Sequence, residues 1–402
     1  MSLKFNEIVS RFLGILVFFP FVGFVPNIDV QPTFFLLASM FLMLSLHTLK
    51  VKTVSFICVF IFFISIIIHL LIYSGTLDIK YTVTMIFIVA TILLMVFLVF
   101  NNFVFVNEKT LIFVLTLYLF VGLVQFIAPD FMLSLVSRSE EAGIGLSETG
   151  RGIRSLASEP SAFGKIIITI NVIMIYFYRN KGATFLLSLS LLLFLFNLLL
   201  PRSAYSILMH FVILFSLFLC INKKIAVLIL FLALITVNIL YHYKLFNDVR
   251  LFRLLYSIFD SPDYILAQGA VKRLFNIPMS MKNLFYCGWY GCGNNEINEY
   301  IQYNSFVGDF YYFLTNKVSG GFVEILLKMG VLSIPFYCVY LYMLACIAGR
   351  NAFCMSDGKL KLGWFFSFSI FVLTFQDSSP ASPLSWFILL YFFFESKRFK
   401  SR

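Results

Sequence analysis

The residues best suited to chemistry stand at breaks between long apolar runs. The first break reads RSEEAGIGLSETGRGIRSLASEPSAFG and gathers Arg138, Arg151, Arg154, Glu140, Glu141, Glu148 and Glu159 into a glycine-rich stretch. Glu159 directly precedes Pro160, a residue favoured in the first turn of a helix. A carboxylate at that position is stabilised by the helix dipole, which gives it a capping role. The same carboxylate could serve as a general base or acid, with Arg154 clamping a pyrophosphate. The second break is the short turn Pro201-Arg202-Ser203-Ala204-Tyr205, where Arg202 stands alone among apolar residues. An isolated arginine at a membrane boundary can snorkel to lipid headgroups. It can also mark a substrate site, because a guanidinium meets phosphate oxygens two at a time.

A third group lies in the long polar segment 243–318. It contains Arg250, Arg253, Lys272, Arg273, Lys282 and Lys317, with Asp248, Asp260, Asp263, Glu296, Glu299 and Asp309. Trp289 and tyrosines at 286, 290, 300, 303, 311 and 312 are interleaved with them. Sugars stack on aromatic rings and are oriented by carboxylates, so this mixture suits a glycan groove. An aromatic belt at a membrane interface has the same composition. Cys287 and Cys292 flank GWYG in this segment, where a disulfide, free thiols and a metal are the alternatives. Neither long segment holds a histidine to complete a zinc site.

Fewer options attach to the remaining polar residues. Glu324 and Lys328, in GGFVEILLKMG, have the spacing of an ion pair on one helix face. Histidines 47, 69, 210 and 242 fall in apolar runs or at their ends. His210 is mid-run and fits a buried interhelical hydrogen bond. His242, at an outer edge, keeps a smaller claim to catalysis.

The elements that must position these groups follow from composition. Of 402 residues, 61% are hydrophobic and only 12% charged, with a mean hydropathy of +0.95. At roughly 20 residues per span, about 245 apolar residues build about twelve transmembrane helices. A soluble enzyme, a secreted disulfide scaffold and a disordered chain are all excluded by this composition. Apolar runs fall at 12–26, 33–47, 53–73, 81–100, 111–128, 161–178, 183–200, 203–221, 225–242, 319–347, 362–376 and 383–394. The 52 phenylalanines and 20 tyrosines, against 3 tryptophans, suit packing among such helices; a ligand-lined groove is the other reading. The expected class is an all-α polytopic membrane protein forming a single domain over 1–402, with two enlarged outside loops at 129–160 and 243–318. Amphipathic stretches at 251–259 and 264–277 predict short interfacial helices in the second loop.

The net charge of +11 also fits a membrane protein. With the N-terminus inside, the inside segments collect 16 lysines and arginines, whereas the four short outside loops hold only Lys80 and Arg202. That bias predicts both termini in the cytoplasm, and cations scattered in ones and twos argue against nucleic acid as a partner. The sequence contains no phosphate-binding loop and no dinucleotide fingerprint, so any reaction must use a substrate that arrives already activated.

This layout resembles that of the Wzy-type O-antigen polymerases of the bacterial inner membrane, relatives of the O-antigen ligases. Three short motifs carry the resemblance alongside the span count and the two loops. Arg154-Ser-Leu-Ala-Ser-Glu159-Pro160-Ser161 is similar to the motif that closes the family's first large loop. Pro201-Arg202-Ser203 is similar to its arginine turn, and Gly321-Phe-Val-Glu324 to Gly330 to the stretch that opens the span after the larger loop. The segment Asn295–Asn304 lacks the histidine expected of a ligase, and the Arg-x10-Gly repeats of some polymerases are not met, since Lys165 and Tyr264 stand eleven residues after Arg154 and Arg253. The resemblance implies a GT-C-like fold and a metal-independent glycosyl transfer without cofactors. In it, a hydroxyl of an undecaprenyl-pyrophosphate-linked repeat unit attacks the anomeric carbon of a growing chain, at the periplasmic face. It further implies Arg154 and Arg202 as catalytic clamps and Glu159 as the base. Arg151, Arg250, Arg253, Arg273, Asp309 and Trp289 would bind substrate, with membrane lipids, a chain-length regulator and a flippase as partners. A lipid-linked oligosaccharide flippase and an O-antigen ligase are the rival functions. A flippase alternates access through its spans and has less need of a long outside loop.

Overall fold

The computed structural model describes residues 3–23, 31–44, 53–72, 79–129, 131–132, 135–136, 152–244, 290–291, 321–349, 353, 362–375 and 379–398. The described residues form helices and no strand; the sole sheet-like contact is an isolated bridge between Val22 and Val136. In chain order the helices are α1 (Leu3–Leu16), α2 (Thr33–Leu44), α3 (Thr53–Ile72), α4 (Ile79–Phe100), α5 (Glu108–Ile127), α6 (Pro160–Tyr178), α7 (Ala183–Leu199), α8 (Ala204–Ile221) and α9 (Lys223–Tyr243). After the second long segment come α10 (Gly321–Met329), α11 (Ile334–Ala348), α12 (Gly363–Phe375) and α13 (Pro383–Arg398). Among the described residues, 6 helical segments are long and apolar enough to cross a membrane: 82–100, 108–127, 160–181, 204–221, 223–243 and 330–348. Apolar helices at 33–44, 60–72, 183–199 and 363–375 are shorter.

Each of the twelve apolar runs overlaps a helix, but two differ from expectation. In the run 12–26 the helix ends at Leu16, and Phe18 and Phe19 then donate to the Ile15 and Leu16 carbonyls in successive tight turns ahead of Pro20. Proline has no N–H to continue the ladder. The helix instead extends back to Leu3, where Glu7 and Arg11 pair across one turn at 2.5 Å. The run 319–347 divides into α10 and α11 around a 3-10 turn, Gly330–Ser333. Gly330 has φ +53°, a left-handed conformation open to glycine, and Pro335 fits the first turn of the helix that restarts there.

α6 is the axis of the bundle. It packs against α5, α7, α8 and α12, and its residues Phe163, Gly164 and Ile166–Tyr176 are all buried. A second group joins α13 to α4, α11 and α12, and α9 lies at the edge against α8. Rings fill much of the interior between helices. Tyr176 is surrounded by Phe353, Phe366, Tyr391 and Phe392, with centroids 5.5 to 6.1 Å away. Phe322 lies 4.6 Å from Trp386, and Tyr118 stacks between Phe19 and Phe163. These contacts favour packing as the role of the phenylalanines named here. Polar side chains tie helices together where rings do not. Tyr118 donates to the Phe18 carbonyl at 2.7 Å, and Tyr340 and Thr374 share a hydrogen bond of 2.6 Å between α11 and α12.

Candidate functional site

Two of the sequence-marked breaks meet at the end of the bundle where α5 and α7 finish and α6 begins. The Ile153 N–H donates to the Leu200 carbonyl at 2.9 Å, which joins the segment before α6 to the turn after α7. Gly152 lies directly against the Pro201 and Leu200 carbonyls, so close that any Cβ would collide with backbone. The glycine is therefore required for the approach. From the other side, Gln125 of α5 reads the backbone of Ser155. Its Oε1 accepts the Ser155 N–H at 2.9 Å, and its Nε2 donates to the Ser155 carbonyl at 3.2 Å. The Ser155 hydroxyl donates to the Tyr118 carbonyl at 2.7 Å. These bonds hold Ser155 at φ +52°, a conformation costly for a residue with a Cβ.

The three charged residues expected here are displayed differently. Arg154 is buried, only 5% exposed, at the base of this junction. Arg202 is exposed and adopts φ +46°, with Nε donating to the Leu199 carbonyl at 3.0 Å. Its guanidinium carbon lies 5.8 Å from the centre of the Phe126 ring. Phe126, Ile127 and Leu199 are themselves exposed, so a cation stands in an apolar patch. Glu159 occupies the N-cap position of α6 with an extended backbone, and its carbonyl accepts from Ala162 and Phe163 at 3.1 Å. Its side chain makes no cap hydrogen bond and instead accepts from Ser161 Oγ at 3.1 Å. The helix-capping hydrogen bonds are thus made by the Glu159 backbone, and the residue as a whole is half-buried.

Arg151, Arg250, Arg253, Arg273, Asp309 and Trp289 lie outside the described residues, as do Cys287 and Cys292 and the stretches 251–259 and 264–277. Of the second long segment, Tyr290 and Gly291 are described, and they sit against the helices. His69 Nδ1 lies 3.2 Å from the Tyr290 carbonyl, which makes that nitrogen the donor. Gly291, at φ +88°, touches the Lys328 carbonyl and the Gly330 N–H, where α10 breaks. Lys328 and Glu324 form the expected ion pair on α10.

Two features were not singled out from the sequence. One is Lys165 of α6, whose Nζ donates to Ser385 Oγ of α13 at 3.3 Å. Its signal was a lone cation followed by IIITINVIMI, legible in principle. The other is a polar network across α6, α7 and α8, of which only His210 was anticipated. Ser206 Oγ donates to Asn197 Oδ1 at 3.0 Å, while Asn197 Nδ2 faces the Ser206 carbonyl and His210 Nδ1, both at 3.2 Å. That fixes the Asn197 amide and makes Nδ1 an acceptor. The other ring nitrogen, Nε2, lies 3.0 Å from Asn171 Nδ2. Ser190 Oγ closes the chain 3.1 Å from the same amide. All five side chains are buried, and a base so enclosed has no route to a substrate. His210 is an interhelical hydrogen bonder. No group of three or more His, Cys, Asp or Glu able to hold a metal occurs among the described residues.

The junction of α5, α6 and α7 can bind an anion through arginine and move a proton through a carboxylate. The chain matches no protein-family model, no curated protein and no solved structure, so its function rests on this geometry and on the sequence.

Proposed function

We propose that this chain is a polysaccharide polymerase of the Wzy type, spanning the bacterial inner membrane about twelve times with both termini in the cytoplasm. The observation that carries the reading is the junction itself. Two arginine-bearing segments 48 residues apart, counted from Arg154 to Arg202, are joined by the Ile153 to Leu200 hydrogen bond beside a carboxylate that does not cap its helix. With this topology the junction faces the periplasm, at the level of lipid headgroups.

The reaction follows from the groups present. The acceptor is a sugar hydroxyl on an undecaprenyl-pyrophosphate-linked repeat unit. Its oxygen forms a bond to the anomeric carbon of the growing chain as the bond from that carbon to pyrophosphate breaks. Glu159 takes the hydroxyl proton, which raises the nucleophilicity of the oxygen as the bond forms. Negative charge accumulates on the departing pyrophosphate, and Arg202 meets it at the rim with Arg154 behind it. The arginines supply the positive charge that a metal would otherwise bring. The apolar patch of Phe126, Ile127 and Leu199 around Arg202 suits a ligand with a hydrocarbon tail next to an anionic head.

The test is the length of surface glycan in a strain lacking this gene. A polymerase deletion leaves lipid A capped with a single repeat. Loss of all glycan would instead assign the chain to a flippase or a ligase, and unchanged long chains would remove all three functions.

A further inference from the structure

α9 is long and apolar enough to cross a membrane, yet most of its surface lies outside the bundle. It packs against α8, and its more buried residues, Ala226, Ile229, Ala233 and Val237, recur at helical spacing on one side. Ala226 and Ile229 join Leu214 and Phe218 of α8 in one apolar cluster. On the opposite side Lys224, Leu228, Phe231, Ile235, Asn238 and His242 are all exposed. They stand four, three, four, three and four residues apart, which is the spacing of a coiled-coil seam. Lys224 and His242 lie at the two ends of the helix, and between them the stripe is apolar except for Asn238. Asn238 stands five residues before Tyr243, about 7.5 Å into the helix at 1.5 Å per residue. Its amide is hydrogen-bonded to no described residue, whereas the nearby Thr236 hydroxyl donates to the Leu232 carbonyl at 2.8 Å.

An amide without a partner in hydrocarbon is costly, and in membranes such side chains hydrogen-bond across helices. We propose that this stripe is the pairing surface of a homodimer, in which α9 of a second copy covers α9. Copies inserted in the same direction are related by a two-fold axis along the membrane normal, which sets the two helices parallel. Each residue of the stripe then meets its own counterpart. A polar group at that axis must be complementary to itself, and asparagine qualifies because its carbonyl accepts while its NH2 donates. Two Asn238 amides satisfy one another reciprocally, and Leu228, Phe231 and Ile235 pack along the rest of the seam. A single asparagine also fixes register, since any slip would oppose it to an apolar side chain. Acyl chains cover the apolar residues equally well but offer the amide no partner. The inference needs α9 to cross a membrane and is independent of the reaction proposed above.

Cysteine cross-linking of the full-length protein in membranes tests the pairing. Oxidation with copper phenanthroline should convert Ile235→Cys to a two-chain product, above the background that wild type sets with its own 7 cysteines. Ile229→Cys, on the side of α8, should stay at that background. Dimer affinity is read separately, from single-molecule photobleaching in phosphatidylcholine and phosphatidylglycerol liposomes over a range of protein densities. Asn238→Leu should weaken dimerisation by about tenfold, as the loss of two hydrogen bonds that each contribute a factor of about three. Asn238→Gln should retain most of the affinity, because the amide is kept. One bleaching step at every density would mean that lipid covers this face and would overturn the proposal. A cross-link confined to one chain would also overturn it, by showing that the protein covers α9 with its own residues. Equal cross-linking of Ile235→Cys and Ile229→Cys overturns it too, as does unchanged dimerisation in Asn238→Leu. Should Asn238→Leu fail to fold, the two cysteine variants decide. Failure of the polymerase reading leaves each of these outcomes as it stands.

Discussion

The two polar regions of α6 show what burial does to a polar group. Midway along the helix, Asn171 meets His210, and Ser190, Asn197 and Ser206 complete a neutral network buried throughout. At the start of the same helix, Glu159 and Lys165 are charged and half-buried, with Arg154 buried in the segment that precedes it and Arg202 exposed on the adjoining turn. The first region spends its hydrogen-bonding capacity on neighbouring helices and holds them in register. The second keeps charge where an anion can reach it. Polarity inside the bundle therefore takes two forms, and charge rather than exposure separates them, because Arg154 is buried like the neutral network.

The largest effect is expected at the charged end. On the proposed polymerase function, Glu159→Gln, which keeps the size of the side chain and removes its basicity, should lower polymer formation per molecule by a factor on the order of 10² or more. Arg202→Ala, which removes a donor aimed at developing charge, should cost about 10² as well, with normal membrane insertion. Both are read from glycan length against protein level in a complemented deletion strain. Full-length polymer in either variant would take that residue out of the mechanism. Gly152→Val comes next: its side chain would force the segment away from Pro201, and Arg202→Ala-like loss of polymer should appear without any charge having been removed. Wild-type polymer from Gly152→Val would show that contact between the two breaks is dispensable.

The neutral region should respond in the opposite sense. Asn197→Leu leaves the Ser206 hydroxyl, the Ser206 carbonyl and His210 Nδ1 without the amide that meets them. The expected loss is about 1–3 kcal/mol, read as a lower melting temperature in detergent. Polymer per folded molecule should stay near wild type, and a selective loss of activity would erase the distinction between the two regions. Ser190→Ala is the smallest change, since it removes one interhelical hydrogen bond worth roughly 0.6 kcal/mol. A drop as large as that of Asn197→Leu would mean that the network is cooperative from end to end.

Much of the bundle was legible because its signal is local. Length and apolarity mark α4, α5, α8 and α9 without reference to any neighbour, and the spacing of Glu324 and Lys328 predicts their pairing on one helix face. Legibility fails where a turn ends a helix inside an apolar run. Leu16 and Gly330 are such points, because hydropathy does not register backbone angle. Glu159 was legible as the residue before a helix, but its failure to cap with its carboxylate was not, since that depends on where the side chain goes. Ser385 gave no signal at all: it becomes relevant only because α13 places it against Lys165.

The sequence by itself determined an apolar, helical chain with most of its charge at the breaks, because transfer from water to lipid is decided residue by residue. It also placed Arg154, Glu159 and Arg202 at those breaks. Only the tertiary structure decided that two of the breaks are one place, through Gly152 against Pro201 and Ile153 against Leu200. It alone decided that Arg154 is buried while Arg202 is exposed, and that His210 is enclosed by amides. Those outcomes depend on contacts between residues far apart in the chain, and side-chain composition does not encode which helices become neighbours.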